Sequence, residues 1–304
     1  MSALRMRHLD VLLAVAAEGS MQRAAQRVHL TQPAISKLVR ELETMFGATL
    51  FERSKRGVAL TESGRALAIR AEYLVNDVRR AREEVAAIGR GTLGSLRIGA
   101  LPVVESSLLP QALMALRRIA PSLHIRIQDG TSAALLASLR RGEIDCVIGR
   151  MDAEASGNDL RAEKLLRLPV RIVARRRHPL AQQKKLTARQ LAAYPWVLPQ
   201  YGAPIRTVID GVFAGAGLPA LVPLVESTSI RLNYELVRSS EMIGVMPEDA
   251  AQDYLAGRAL SILAFDLGDW LPFVGVTTRM APASQALNLF LRVLRETSES
   301  SPKR

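Results

Sequence analysis

Gln32, Pro33, Ser36, Lys37 and Arg40 lie on the polar arc of one amphipathic pattern, QPAISKLVRELETMF, and their chemistry suits a nucleic-acid groove. A Gln amide can bond an adenine edge at two points, a Ser hydroxyl can serve several bases, and Lys or Arg can reach guanine or phosphate. At ~100° per residue, Ile35, Leu38, Val39, Leu42, Met45 and Phe46 gather within about a third of the helix circumference. Glu43 joins the five polar-arc residues on the remainder. Thr31 is placed to cap this helix and Pro33 to occupy its first turn, where a missing N–H costs little, so Gln32 and Ser36 are presented at the tip. For Lys37 and Arg40 a solvated or phosphate-facing role fits better than base readout.

A helix of this kind must be held by others. A preceding helical pattern starts at Ser20, carries Gln22 in its first turn and has Ala24-Ala25 where a second helix can cross closely. Leu30 can plug the angle between the two, which predicts a helix-turn-helix. An ordinary helical hairpin would show the same pattern, but the sequence that follows separates the two readings. Leu50–Arg53 and Val58–Thr61 read as short strands joined by Ser54-Lys55-Arg56-Gly57, a turn with two adjacent cations and a Gly for the unusual backbone angle. This is a wing whose tip can reach phosphates or the minor groove. Ser20, Gln22 and Thr31 complete the candidate DNA-facing set.

The run AAQRVHLTQPAISKLVRELETMFGATLFERSKRGVALTESG, Ala24 to Gly64, resembles the DNA-binding motif of LysR-type transcriptional regulators, and the whole chain is similar to that family. The resemblance implies that Gln32, Pro33 and Ser36 approach base edges, while Arg53 and the wing cations Lys55 and Arg56 approach backbone or minor groove. It also implies a two-lobed effector domain like that of periplasmic solute-binding proteins, and dimers that pair into a dimer of dimers. The stretch Val237–Glu248 departs from the commoner Gly-rich form of the family and looks closer to its branch of regulators of sugar-binding and aromatic-catabolism genes.

The chain has 304 residues, 48% of them hydrophobic, which is ample for several folded cores. Its formal charge of +12 points to a polyanionic partner. Residues 1–91 hold 15 Lys/Arg against 10 Asp/Glu, an excess of only five. Residues 161–189 are denser, with 10 basic residues against the single acid Glu163. That run reads as a solvated face, with a second nucleic-acid contact as the alternative. Cys146, the only cysteine, lies in the apolar string IDCVI and reads as a buried strand residue in a reducing compartment. With no export signal and no apolar stretch of bilayer length, the expected location is cytoplasmic, without a membrane partner.

After the wing, Thr61 can cap a long helix running to about Ile88. Its apolar residues Leu67, Ala71, Leu74, Val78, Ala81, Val85 and Ile88 are spaced 4-3-4-3-4-3, a heptad seam that calls for a partner helix. Mirroring the seam about Val78 sets Ala71 against Val85 and Leu74 against Ala81, whereas a parallel pair would place small residues on small ones. An antiparallel homodimer is therefore expected, the alternative being that the seam packs on its own effector domain. The Gly-rich GRGTLG that follows, Gly89–Gly94, has dinucleotide-loop spacing but comes after a helix and before a strand, the reverse of what phosphate binding needs. It reads as a flexible hinge.

Beyond Gly94, strand and helix patterns alternate to the end of the chain, implying α/β layers with mostly parallel sheets. The expected division is 1–61 for the DNA-binding domain, 62–90 for the dimerisation helix and hinge, and 91–304 for the effector domain. The chain would cross to a second lobe near 161 and return near 268, so that lobe two covers about 162–267. Ligands in open α/β sheets bind beyond the carboxyl ends of strands. This rule selects Leu101, Pro102 and Val103; Thr131 and Ser132; Arg150; Tyr201, Gly202 and Arg206; Thr228; and Met246. A plain helix cap is open for Ser132, a salt bridge for Arg150 and Arg206, and a core position for Met246. The polar character of the set suits a sugar, an aromatic acid or a hydroxy acid.

Four dispersed histidines without metal spacing, no Gly-x-Ser-x-Gly elbow and a lone cysteine without a neighbouring base argue against an enzyme and against a resident cofactor. The expected function is an effector-controlled regulator that binds double-stranded DNA and, if it activates, contacts RNA polymerase. A solute-binding protein with a fused helical segment, or a constitutive DNA-binding protein without effector, are the competing readings.

Overall fold

The computed structural model describes residues 3–54, 57–105, 108–151, 159–256, 259–267 and 273–300. The chain opens with helices α1 (Met6–Glu18), α2 (Met21–Arg27) and α3 (Gln32–Phe46), a two-stranded wing β1 (Phe51–Ser54) and β2 (Gly57–Leu60), and the long helix α4 (Glu62–Gly89). Lobe one follows with β3 (Ser95–Ala100), α5 (Leu108–Ile119), β4 (His124–Asp129), α6 (Ser132–Arg140), β5 (Cys146–Arg150) and β6 (Leu160–Arg167). Lobe two contains β7 (Val170–Arg175), α7 (Ala188–Ala192), β8 (Trp196–Leu198), α8 (Pro204–Gly215), β9 (Val225–Glu226), α9 (Ile230–Ser239), β10 (Ile243–Pro247), α10 (Glu248–Ala256) and β11 (Leu260–Ile262). The chain returns to lobe one with β12 (Phe273–Arg279) and α11 (Gln285–Ser300).

Contacts divide it into two compact units, 1–97 with 122–126 and 136–145, and 98–121 with 127–135 and 146–304. In the first unit, Leu9, Val11, Leu12 and Val15 of α1, Ala24 and Ala25 of α2, and Ile35, Val39 and Leu42 of α3 form one core with Leu50 and Phe51 of the wing. Each start is capped as the residue types require: Ser20 accepts from the Arg23 N–H and Thr31 from the Ala34 N–H, each at 3.4 Å, and Thr61 from the Gly64 N–H at 3.0 Å. Gly57 has φ +121°, and a Cβ there would strike the Gly19 carbonyl oxygen, which already accepts from the Val58 N–H at 2.9 Å. Gly64 lets α4 touch the Leu50 carbonyl, a gap no side chain would fit.

Helix α4 presents two faces. Ala68 and Ala71 are buried in the winged-helix core, with Leu67 and Val75 packed against it, so the lower end of the expected seam is spent within the chain. The remaining seam is open: Leu74 is 43%, Val85 69% and Ile88 61% exposed, with Ala81 exposed and Val78 half-buried. A second face, Glu72, Asn76, Arg80, Glu83 and Ala87, holds the chain's own residues in this unit. Asn76 donates to the Arg141 carbonyl at 2.7 Å, Arg80 binds Asp145, Arg97 binds Glu83, and Asp145 also accepts from the Arg97 N–H at 2.6 Å. The turn expected to be a loose hinge is a built helix end. Gly91 at φ +66° lets the Thr92 N–H close on the Ala87 carbonyl at 2.9 Å.

Lobe one is a five-stranded sheet in the order β4-β3-β5-β12-β6, and lobe two another in the order β11-β7-β10-β8-β9. Both are mixed, not mostly parallel. β3 is parallel to β5, and β8 to β9 and β10, whereas β12 is antiparallel to β5 and β6, and β7 to β10 and β11. β6 was not expected; it pairs with β12 across Leu160–Arg167, so the chain leaves the first sheet at Leu168-Pro169 and not near 161. Its return near 268 lies outside the described residues. In lobe two, Ile172, Ala174, Trp196, Leu198, Ile243 and Val245 bury one face of the sheet, and Val173, Val197 and Met246 the other, the two-residue alternation of a sheet covered on both sides.

Candidate nucleic-acid interface and effector cleft

The tip of α3 is built as its sequence requires. Gln32 and Pro33 are exposed, Ser36 is half-buried, and Gln22, Thr31, Lys37 and Arg40 are exposed around them. Ser20 is half-buried as the cap of α2. Not all of the polar arc is free. Arg40 folds back, its Nε donating to the Ser36 carbonyl at 3.2 Å, and Lys37 lies 4.0 Å from Glu41, which favours backbone contact over base readout for both. Glu43, read as part of the outer face, turns to the wing and accepts from the Leu50 N–H at 2.9 Å. Phe46, placed in the apolar arc, is 47% exposed because the helix ends there, with Gly47 turning the chain at φ +62°. The side chain of Arg53 and residues Lys55 and Arg56 lie outside the described residues.

Sequence reasoning missed what holds α3 in place. His8 of α1 is almost fully buried and bonds Glu41 at 3.0 Å, while its Nδ1 accepts from the Arg5 N–H at 3.0 Å. This bond, followed by the charge of Lys37, keeps the Glu41 carboxyl below its ordinary range. Only the position of a lone His on the buried face of α1 could have signalled it.

The strand-end residues form one group per lobe. In lobe one, Leu101 follows β3 and closes on β5, its N–H donating to the Ile148 carbonyl at 2.9 Å while its side chain covers Gly149. Pro102 and Val103 form a short 3-10 turn, half-buried. Arg150 ends β5, half-buried, opposite Val274. Thr131, not Ser132, caps α6, accepting from the Ala134 N–H at 3.3 Å, which leaves Ser132 half-buried in the first turn. In lobe two, the loop after β8 carries Tyr201, 85% exposed, and Gly202 at φ +89°. Beyond β9, Ser227 and Ser229 accept from the backbone N–H groups of Ser229 and Leu232, so the exposed Thr228 between them is not needed for the cap.

Two expected contacts belong to the core instead. Arg206 is 5% exposed and its guanidinium is consumed internally: Nε donates to Asp210 at 2.9 Å and Nη2 to the Leu221 carbonyl at 2.7 Å, with Glu226 at 3.5 Å from Nη1. Its place one turn into α8, four residues before Asp210, makes a helix-surface ion pair that α8 then buries. Met246 is 1% exposed because its position on β10 faces the layer of α9 and α10. The strand-end rule finds the edge of a sheet but not which of its two faces a side chain enters.

The same rim carries an unexpected charge. Glu105, just past the 3-10 turn, has its carboxyl held above the ordinary range by burial first and by the charge of Asp129 second. Among the described residues no group of His, Cys, Asp and Glu could hold a metal ion, and no helix is long and apolar enough to cross a membrane.

Comparison with known proteins agrees with this architecture. Residues 6–65 match the bacterial regulatory helix-turn-helix family of the lysR type, and residues 89–299 match the LysR substrate binding domain. The transcriptional regulator PcaQ of Agrobacterium fabrum is 30% identical over 97% of this chain and 95% of its own length. GalR of Pseudomonas putida is 30% identical over 94% of this chain and 73% of its own. Among solved structures, a full-length OxyR variant from Pseudomonas aeruginosa superposes with a TM-score of 0.68 at 24% identity, covering 99% of this chain and 96% of that one. CbnR complexed with its target DNA gives 0.68 at 21%, covering 97% and 100%. The chain belongs to the LysR family of DNA-binding transcriptional regulators, with a winged helix-turn-helix at its start and an effector-binding domain after it.

Proposed function

We propose that residues 1–61 read DNA through the tip of α3, residues 62–90 join two copies of the chain, and residues 91–304 bind a small polar metabolite that controls transcription. The observation that supports the effector class is the chemistry left over once the fold has taken its share. Thr131 and the two serines flanking Thr228 serve helix starts and Arg206 serves Asp210. Ser132, Tyr201 and Thr228 then remain as the polar groups of the strand-end loops, with Arg150 at the end of β5 and Pro102 and Val103 beside them. One cation, hydroxyls and an aromatic edge suit a sugar, an aromatic acid or a hydroxy acid. The reading also places the protein in the cytoplasm with its DNA, as a dimer that assembles into a dimer of dimers.

Thr228→Ala and Arg150→Ala should each abolish the transcriptional response to the metabolite while DNA binding in its absence is kept. Titration calorimetry of the full chain against a panel of sugars, aromatic acids and hydroxy acids is the direct measurement. A response in cells that survives the double substitution rejects the cleft.

The DNA reading makes its own prediction. Gln32→Ala should weaken cognate binding by ~1–3 kcal/mol and leave random duplex nearly unaffected, because the exposed amide contributes discrimination and no packing. Anisotropy titrations on both duplexes decide it. Equal losses on the two would remove Gln32 from base readout.

A further inference from the structure

Of the ten cations of residues 161–189, Arg161 lies on β6 and the other nine fall into two groups. Arg171 pairs with Glu248 at 3.1 Å, Arg175 pairs with Glu241, and Lys164 and Arg167 stand over the Phe273 ring at 4.5 and 4.7 Å. Arg176, Arg177, Lys184, Lys185 and Arg189 are exposed and have no carboxylate partner among the described residues. Four of the five lie in the connection from β7 to α7 and Arg189 follows in the first turn of α7, with no acidic residue between them.

That connection is firmly built. Buried His178, Leu180, Leu186 and Ala188 alternate with the exposed cations and anchor it in the core of lobe two. The His178 N–H donates to the Arg175 carbonyl at 2.9 Å, the Leu180 N–H to His178 Nδ1 at 3.2 Å, and the Leu186 N–H to the Ala264 carbonyl at 3.2 Å. Thr187 and Gln190 form a reciprocal cap on α7. Burial holds the His178 imidazole below its ordinary range, so it stays neutral and keeps Nδ1 as an acceptor. Five like charges on an ordered scaffold repel one another, and among the described residues no carboxylate pairs with them.

We propose that this cluster is a second DNA-binding surface that grips the phosphate backbone of duplex flanking the site read by α3. The choice of partner follows from what the surface lacks. Tyr194 packs tilted against His178, ring centroids 4.4 Å apart, and is not splayed out as a platform for unpaired bases, which single-strand binding needs. Gln182, Gln183 and Pro179 fill the exposed gaps, so no large apolar side chain is present to anchor an acidic protein. Cations alone, evenly exposed, match a sequence-independent polyanion. The proposal rests on the DNA-binding reading but adds contacts outside the winged helix.

The test uses the full chain and two duplexes with the same core, a site selected by the protein from random-sequence oligonucleotides. One ends at the core and the other extends on both sides. Anisotropy titrations over a salt series compare wild type with a variant carrying Arg176→Gln, Arg177→Gln, Lys184→Gln and Lys185→Gln. On the long duplex the variant should lose about tenfold or more in affinity, and its log–log salt slope should flatten by about two to four units, close to one per lost phosphate contact. On the short duplex the two proteins should agree. Equal slopes on the long duplex, with core binding intact, overturn the proposal and leave α3 untouched, whereas failure of wild type to bind either duplex rejects the DNA reading itself. A variant that occupies the long duplex normally but fails to regulate assigns the surface to a protein partner and also overturns it. If the fourfold variant melts early, Lys184→Gln with Lys185→Gln, both exposed between the anchors Leu180 and Leu186, repeats the test at about half the slope change.

Discussion

Val78→Glu should convert the dimer to a monomer in light scattering and lower cognate DNA affinity by about a hundredfold or more, with the melting of both halves of the chain unchanged. Helix α4 leaves only part of its seam open. Ala71 is buried in the winged-helix core, so the pairing of Ala71 with Val85 drawn from the sequence is unavailable, and the surviving seam, Leu74 to Ile88, recentres on Ala81. An antiparallel copy then meets Leu74 with Ile88 and Val78 with Val85 around a small central residue, which lets the two backbones approach closely. Val78→Glu places two carboxylates among these apolar contacts, and each must be desolvated or the pair must separate. DNA affinity follows because two linked half-sites are bound with a large effective concentration that a monomer lacks. An unchanged mass for the variant would move the interface elsewhere.

The bonds that α4 makes within its own unit run along its polar face and not along the seam. A helix seam that docked on its own chain would bury Leu74, Val85 and Ile88, yet these are the exposed positions. Glu72, Asn76, Arg80 and Glu83 make the intrachain bonds instead. The heptad reads as a helix that wants a partner. It could not show that the same helix carries a second, hydrogen-bonded stripe, because a polar i, i+4 series looks like any solvated face until its partners, 14 to 69 residues away in the chain, are in place.

Other features divide in the same way. Local chemistry was legible: Ser20, Thr31 and Thr61 cap the helices their types suggest, Ala24 and Ala25 make the close crossing, and Gly57 takes the positive φ. These depend on near neighbours in sequence, where steric rules act directly. The strand β6 was not legible, since LRAEKLLR has neither alternation nor a β-branched run, and only pairing with β12, more than a hundred residues later, makes it a strand. The His8–Glu41 bond and the clamp of Glu43 on the wing are likewise long-range choices between solvent and a buried donor. The cleft was half legible. The topology fixes which loops converge at a sheet edge, but the ion-pair partners of Arg206 and the inward turn of Met246 depend on packing.

Arg206→Ala should therefore unfold lobe two more readily, as the loss of an internal ion pair and not of a ligand contact. Its guanidinium is the shared partner of Asp210, Glu226 and the Leu221 carbonyl, and Asp210 is itself largely buried, its side chain 17% exposed. Truncation leaves an uncompensated carboxylate and an unpaired carbonyl beside a core of Ile205, Ile209 and Phe213, at a cost of about 3–5 kcal/mol. The partners, being fixed by α8 and the strand β9, cannot relax to water without moving apolar side chains. Denaturant titration followed through Trp196, which stands edge-on to Phe213 at 6.0 Å, reports this lobe directly. The midpoint should fall sharply for Arg206→Ala and stay in place for Thr228→Ala, whose hydroxyl supports nothing in the fold. Replacing Arg206 and Asp210 together, with Met and Leu, should recover most of the lost stability, since removing both charges is far cheaper than stranding one. An Arg206→Ala protein that melts like wild type but no longer responds to the metabolite would return Arg206 to the cleft.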